Sequence, residues 1–421
     1  MSESLEMEVE TQDGADNGDE GKRLAEQPAS SPSSPSESDS EGEDDDDEDL
    51  KLETLEDKLS ENPLSYDDHV QVIPLQIPSS PDQLGFLEGK WLERAAYIRA
   101  LRKLGHLEKL RKARESMNAL FPLSPTMWRE WAKDETSLSA GPESLAAVEK
   151  LYERGVQEYL SVLLWCDYVN FVQEHDQSVS QCTADGISKM RDLFERAVTA
   201  VGLHVVEGSN IFEAYREFEQ AILLTIDDNS IEERGKQVDR IRSLFHRQLS
   251  VPQSNSKSTI QAYKQWEAEQ GNIDILDSDE LDGLPSHVVS TYQKALQMYN
   301  ARVGYEDQLS STGTSDVDKL QIFLNYIKFE QSSGDPVRVQ ILYERAVTEF
   351  PVSSDLWLSY THYLDRTLKV PSVLRAVHSR ATRNCPWVGE LWVHYLLCLE
   401  RVCAPEEELS AVCLSLHPAV T

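Results

Sequence analysis

Paired cysteines, long apolar runs and strand-like alternation are all scarce in this chain of 421 residues. Its six cysteines, at positions 166, 182, 385, 398, 403 and 413, form no C-x-x-C pair and fall mostly inside apolar, helix-like stretches. That usage fits free thiols in a reducing compartment rather than a disulfide framework. No Asn-x-Ser/Thr acceptor occurs, in keeping with a nuclear or cytosolic address. The opening MSESLEMEVE is acidic and lacks the basic segment and apolar core of a signal peptide. The longest apolar stretch, Leu160 to Val172, is interrupted by Asp167 and is too short to cross a bilayer. The expectation is a soluble intracellular protein with no membrane partner.

Catalytic signatures are missing too. Neither G-x-x-x-x-G-K, H-E-x-x-H nor G-x-S-x-G appears. The ten histidines are scattered. His246 and His378 fall within helical runs, where packing or capping explains them, and His175-Asp176 sits in a loop with no second ligand near it. No enzyme, cofactor or metal is expected. Positive charge is also short: the net charge is −34, and residues 1–50 alone hold 19 acids against Lys22 and Arg23. A body that stays acidic beyond residue 50 repels phosphate backbones on average.

What is present is a recurring pair of patterns. The clearest copy has Phe323, Tyr326, Phe329 and Glu330, then Leu342-Tyr343-Glu344-Arg345-Ala346-Val347, and closes on Phe350-Pro351. Aromatics three residues apart lie on one face of a helix (helix A), and the second run supplies a partner (helix B). One such pair cannot bury its apolar face, so neighbours must stack into a solenoid. Earlier copies carry Trp128, Trp131, Glu153 and Arg154; then Trp165, Tyr168, Phe171, Glu195 and Arg196; then Phe212, Tyr215, Phe218, Glu219 and Arg247. A degenerate copy has Tyr263, Trp266 and then Tyr292-x-Lys294-Ala295. Later ones have Trp357, Tyr360, Tyr363 and Arg380, and finally Trp392 and Tyr395 with no second-helix signature. The central position falls at 131, 168, 215, 263, 326, 360 and 395, and the shortest interval, 34 residues, suits a two-helix repeat. The excess falls in polar stretches such as 225–235, 270–286 and 303–318, read as loops or helix extensions.

Each repeated residue has a packing role. The aromatics lock helix A against helix B. The alanines at 197, 295, 346 and 381 let helices approach, and the prolines at 122, 252, 351 and 386 stop helix B. The Glu of helix A is expected to pair with the Arg of helix B across the hairpin, 330 with 345 and 219 with 247.

The pattern resembles the HAT (half-a-TPR) repeat of RNA-processing factors over roughly 91–401. The segments 201–222, 363–370 and 380–401 are similar to the N-terminal half of the HAT factors that recycle the U4/U6 small nuclear RNP, whose N-terminus is also acidic and Ser-rich. This resemblance implies an all-α, right-handed superhelical solenoid of TPR-like hairpins. It implies a non-enzymatic scaffold in pre-mRNA splicing with splicing and snRNP proteins as partners, a dock for ubiquitin-specific proteases, and a nuclear address in nucleoplasm and Cajal bodies. The family's basic localisation stretch, its two RNA-recognition motifs and its later dimerising repeats have no counterpart here. The divergent ending, 402–421, therefore reads as a truncated or alternatively spliced form that is also open to the cytoplasm and touches U4/U6 RNA only weakly or indirectly.

The expected domains are an acidic, Ser/Pro-rich disordered tail over 1–62, an irregular proline-bearing segment over 63–90 that looks inserted, the solenoid over 91–401 and the ending at 402–421. In the tail, Ser36, Ser38 and Ser40 precede acids and read as candidate phosphorylation sites. The one dense basic strip, with Arg99, Arg102, Lys103, Lys109, Arg111, Lys112 and Arg114, reads three ways: a solvated helix face, a dock for the acidic tail, or a contact to RNA phosphates.

Overall fold

The computed structural model describes residues 52, 54–58, 81–138, 141–227, 229–273, 281–410 and 412–413, without side chains over 81–90. Contacts divide the chain into Met1–Leu50 and Lys51–Thr421, and every described residue lies in the second unit. No strand occurs among the described residues, and no helix there is long and apolar enough to cross a membrane.

Helix A and helix B alternate as hairpins. The first two are α1 (Pro81–Lys103) with α2 (Leu107–Leu120), and α3 (Pro125–Leu138) with α4 (Pro142–Glu158). In the third, α5 (Val162–His175) meets α7 (Ala184–Val201) across the one-turn helix α6 (Gln177–Ser180). The fourth is α8 (Gly208–Thr225) with α9 (Ile231–Leu249). The fifth joins α10 (Ser256–Glu269) to α11 (Ser286–Asn300), which continues as α12 (Val303–Ser310). Then come α13 (Asp316–Ser333) with α14 (Pro336–Glu349), α15 (Ser354–Thr367) with α16 (Pro371–Asn384), and α17 (Gly389–Arg401). This is an all-α solenoid of helix hairpins.

Local chemistry sets the helix ends. The side chains of Ser161, Thr183 and Ser315 accept hydrogen bonds from first-turn backbone N–H groups of α5, α7 and α13, which helix starts otherwise leave unpaired. Gly334 closes α13 at φ +82°, a conformation that favours glycine. The prolines at 122, 252, 351 and 386 each follow the end of a B helix by two or three residues. Two of them have a second use: the indole N–H of Trp357 donates to the Pro351 carbonyl at 2.7 Å, and Trp392 donates to Pro386 at 2.8 Å. The alanines of helix B, 197, 295, 346 and 381, have no exposure at all. Gly155 takes that place in α4, where a Cβ would stand 3.0 Å from the Trp128 ring.

The apolar core comes in successive blocks, as a solenoid requires. One runs from Leu52 to Leu244, a second from Leu223 to Tyr292, and a third from Phe323 to Cys398. Between the second and third lie buried ions, Arg302 and Glu306 of the α11–α12 junction.

Three expectations need correcting. The segment 63–90 is helical from Pro81, because proline in a first turn gives up an N–H that the helix does not use; residues 59–80 lie outside the described residues. The tail does not run unstructured to residue 62: residues 54–58 are helical, and Leu52 is buried in the first core block. The ending at 402–421 begins by completing the eighth hairpin, since residues 406–410 are helical and Leu409 and Val412 pack on Trp392 and Tyr395.

The stack also curls onto itself. Tyr159, at the end of α4, donates to Asn384 Oδ1 at 2.5 Å, and Arg383 donates to Glu158 Oε1 at 2.7 Å and to the Asn118 carbonyl at 3.2 Å. Arg380 reaches the Glu158 carbonyl at 2.8 Å. The second and seventh hairpins therefore touch through the C-terminal ends of their B helices.

Candidate interaction surfaces and the inter-repeat ladder

The repeated Tyr-Glu-Arg residues build one device, used between hairpins rather than within them. The B-helix aromatic stacks on the tyrosine of the next A helix. Ring centroids are 5.3 Å apart for Tyr152 and Tyr168, 4.5 Å for Phe194 and Tyr215, 4.7 Å for Tyr305 and Tyr326, and 4.8 Å for Tyr343 and Tyr360. The adjoining glutamate accepts that tyrosine's hydroxyl: Tyr168 to Glu153 at 2.6 Å, Tyr326 to Glu306 at 3.0 Å, Tyr360 to Glu344 at 2.6 Å. The same glutamate holds the arginine of the next B helix. The pairs are Glu115–Arg154 (2.9 Å), Glu153–Arg196 (2.7 Å), Glu195–Arg247 (2.7 Å), Glu306–Arg345 (2.7 Å) and Glu344–Arg380 (2.5 Å). Several of these guanidinium groups also cover A-helix indoles, Arg154 over Trp128 and Trp131, Arg196 over Trp165, and Arg380 over Trp357.

The expected pairs 330–345 and 219–247 do not form. Glu330 pairs with Arg302 at 2.5 Å and Glu219 with Arg191 at 2.8 Å, while Arg345 and Arg247 reach back to Glu306 and Glu195. The reason is geometric. In an antiparallel hairpin, Glu219 lies near the connecting turn and Arg247 at the far end of α9. At 1.5 Å per residue these positions stand on the order of 15 Å apart. The arginines that do meet the A-helix glutamates were missed, yet they share a signal: each stands three residues before the B-helix aromatic, as Arg191 before Phe194, Arg242 before Phe245 and Arg302 before Tyr305. Arg242 completes the set with Glu267 at 2.6 Å. The fifth repeat's working pair was missed as well. Tyr305-Glu306 in α12 plays the part of Tyr343-Glu344, whereas Tyr292 packs in the core between α9 and α10.

Ionisation follows this geometry. The hydrogen bonds from Arg196 and Arg247 hold the Glu153 and Glu195 carboxyls below their ordinary range. Burial pushes the Tyr168 phenol up, and its bond to Glu153 adds to the shift. The rungs differ in exposure: the arginine side chains of the first three are 40–50% exposed, and those of the last two 12%. Trp128, Trp131, Phe212, Tyr263, Trp266, Phe323, Trp392 and Tyr395 are all buried. These residues are committed to the stack.

The basic strip spans α1 and α2 and faces acids. Arg102 donates to Asp134 at 2.8 Å and lies 3.3 Å from Glu130, Arg111 donates to Glu135 at 2.8 Å, and the buried Arg114 donates to Asp134 at 2.6 Å. Lys109 donates to Glu56 at 2.8 Å, and the Tyr97 hydroxyl donates to the same carboxylate at 3.1 Å. Arg99, Lys103 and Lys112 are exposed. Ser36, Ser38 and Ser40 lie outside the described residues.

Where the stack touches itself, Trp91, Phe121, Pro122, Tyr159, Pro351 and Trp387 line much of a mainly apolar cavity of about 340 Å³, with Arg383 and Asn384 on its wall. Most of the chain is thus a stack of hairpins whose aromatic and charged signatures bind neighbour to neighbour, which defines a HAT-type repeat scaffold, a class that presents surface and performs no chemistry. The chain belongs to the family of the Suppressor of forked protein (Suf), whose profile matches residues 90–407. It is 34% identical over 352 residues to the human protein named Spliceosome associated factor 3, U4/U6 recycling protein, covering 84% of this chain and 31% of that one. Its counterpart in Danio rerio is 34% identical over 83% of this chain and 33% of its own length. The Saccharomyces cerevisiae mRNA 3'-end-processing protein RNA14 is 22% identical over 63% of this chain and 41% of its own. The chain spans about a third of the length of its U4/U6-recycling relatives.

Proposed function

We propose that this chain is a splicing scaffold that assists assembly or recycling of the U4/U6 small nuclear RNP by holding protein partners, ubiquitin-specific proteases among them, in the nucleus. The observation that carries the reading is the 34% identity over 352 residues to a protein named for U4/U6 recycling. The geometry agrees with a protein-holding role. Repeat-signature residues are used up in stacking, so partners meet the outer faces of the helices and the rims of the turns rather than the signature itself.

The second reading, RNA contact through the basic strip, is disfavoured by the strip's own acids. Arg102, Arg111, Arg114 and Lys109 already face Asp134, Glu135 and Glu56. A phosphate would have to displace these carboxylates in a chain of net charge −34.

The test is to pass purified chain over immobilised U4/U6 small nuclear RNP, intact or stripped of protein. Capture by the intact particle alone supports the scaffold reading. Salt-sensitive capture by the naked RNA, lost in the variant Arg99→Glu/Lys112→Glu, would replace it with the RNA-binding one. No capture by either would remove the U4/U6 role.

A further inference from the structure

Two consecutive A helices bring three metal-ligating side chains together at the solvent-accessible surface. His362 lies on α15, and Glu390 and His394 lie one turn apart on α17. One ligand atom from each falls within 4.8 Å of the other two. The imidazole rings of His362 and His394 stand 4.4 Å apart between centroids, at 57° to one another. His394 Nε2 faces Glu390 Oε1 at 3.9 Å, too long for a hydrogen bond and roomy enough for a bridging ion. The other ring nitrogen, His394 Nδ1, is buried and has no hydrogen-bond partner. No strong competing interaction therefore fixes the His394 ring.

The geometry points to a zinc-type divalent cation site formed by His362, Glu390 and His394, which ties the seventh hairpin to the eighth. Two imidazole nitrogens and one carboxylate oxygen are a donor set for a borderline divalent ion, with a fourth position left to water. Around a tetrahedral zinc ion the donor atoms stand roughly 3.3 Å apart. His362 and Glu390 are exposed, so small rotamer changes bring their ligand atoms from the present spacing to that one. The ion would lie outside the core, where neither ladder nor aromatic stack has to move. Its placement also has a mechanical consequence. Hairpins of a solenoid touch only their neighbours, so an adjacent pair can open apart locally. A bound ion cross-linking α15 to α17 would oppose that opening.

The histidines gave no sign of this in the sequence because the ligands come from two helices. Only Glu390 and His394, four residues apart, form a local pair, and the third ligand stands 28 residues before Glu390.

The test uses the full chain after chelator treatment, with ZnCl2 as titrant and calorimetry as readout. One equivalent should bind, and the melting temperature should rise with zinc. His362→Ala alters an exposed residue, leaves the core intact, and should weaken binding at least about tenfold and abolish the melting shift. Glu390→Gln should weaken binding in the same direction. If zinc binds wild type and His362→Ala equally, the ion sits on other groups, such as the exposed thiols of Cys182, Cys403 and Cys413, and the site is overturned. Failure of wild type to bind an equivalent overturns it as well. A circular dichroism spectrum of His362→Ala matching wild type guards against misreading an unfolded variant.

Discussion

Glu344 holds Arg380 at 2.5 Å while also accepting the Tyr360 hydroxyl at 2.6 Å, so one carboxylate of the sixth hairpin grips both helices of the seventh. Arg380 then reaches the Glu158 carbonyl across the turn of the stack. Both side chains of this ion pair are 12% exposed. Removing one partner leaves the other charge buried and unpaired. Arg380→Ala is therefore expected to destabilise the seventh hairpin by about 3–5 kcal/mol. The equivalent change at the N-terminal end, Arg154→Ala, breaks a rung whose side chains are 40% and 53% exposed, and should cost less than about 1 kcal/mol in charge pairing. Hydrogen exchange resolves the two hairpins separately and checks the contrast; equal losses at both sites would refute the difference between buried and exposed rungs.

A second prediction concerns the closure of the stack. Tyr159→Phe leaves the buried Asn384 oxygen without its donor, a loss of about 1–3 kcal/mol. Combined with Arg383→Glu, which turns an attraction to Glu158 into a repulsion, it should part the second hairpin from the seventh. Small-angle scattering should then report a larger radius of gyration at unchanged helix content. An unchanged radius would mean that stacking alone sets the curl.

How far the sequence reveals this design depends on the range of each contact. Trp357, Tyr360 and Tyr363 announce an A helix because three-residue spacing is local, and Tyr343-Glu344-Arg345-Ala346 announces a B helix for the same reason. Their partners are not local. Arg345 and Glu306 are 39 residues apart, Arg247 and Glu195 are 52 apart, and the interval varies with loop length, so no fixed register links them. Tyr305-Glu306 repeats Tyr343-Glu344 but sits in a polar stretch close to α13, where the expected period does not look for it. The contacts of Arg380 and Arg383 with Glu158 span more than 220 residues. They follow from the curl of the whole stack, which no single repeat encodes.

The short helical segment 54–58 meets the basic strip at Glu56, whose carboxyl is held below its ordinary range mainly by Lys109. Leu52, buried in the first core block, anchors the same segment. Lys109→Glu places two like charges together and removes the donor, and Leu52→Ser removes the anchor. Each should speed cleavage by a protease that cuts within 51–58, and the double variant should be cut fastest. The exposed contact alone is worth at most about 1 kcal/mol, so Lys109→Glu should have the smaller effect. A cleavage rate unchanged in Leu52→Ser would show that the segment is not held by its apolar contact.

The last prediction is a pH dependence centred on His204. Its ring is buried, its Nδ1 accepts the Glu207 backbone N–H at 3.0 Å, and Arg345, Glu306 and Glu207 line the same hollow together with Lys319 and Glu349. Burial first, and the Arg345 charge second, lower its pKa to about 3. The unfolded chain binds a proton here near the ordinary value of 6.5, and the folded chain does not bind it until about 3. Between these values the unfolded state carries more protons, so the stability that His204 contributes is present above pH 6.5 and is lost as pH falls towards 3. The loss is at most about 1.4 kcal/mol per pH unit. The ladder carboxylates Glu115, Glu153 and Glu195, which arginine bonds hold low, add their own loss only below about 4.5. His204→Gln keeps a polar side chain of similar reach but does not titrate. Denaturant unfolding between pH 7 and 5 should therefore show a shallower fall in stability for the variant than for wild type. Parallel curves over that interval would mean that His204 is protonated in the folded chain, and that its burial and the Glu207 N–H do not hold it neutral.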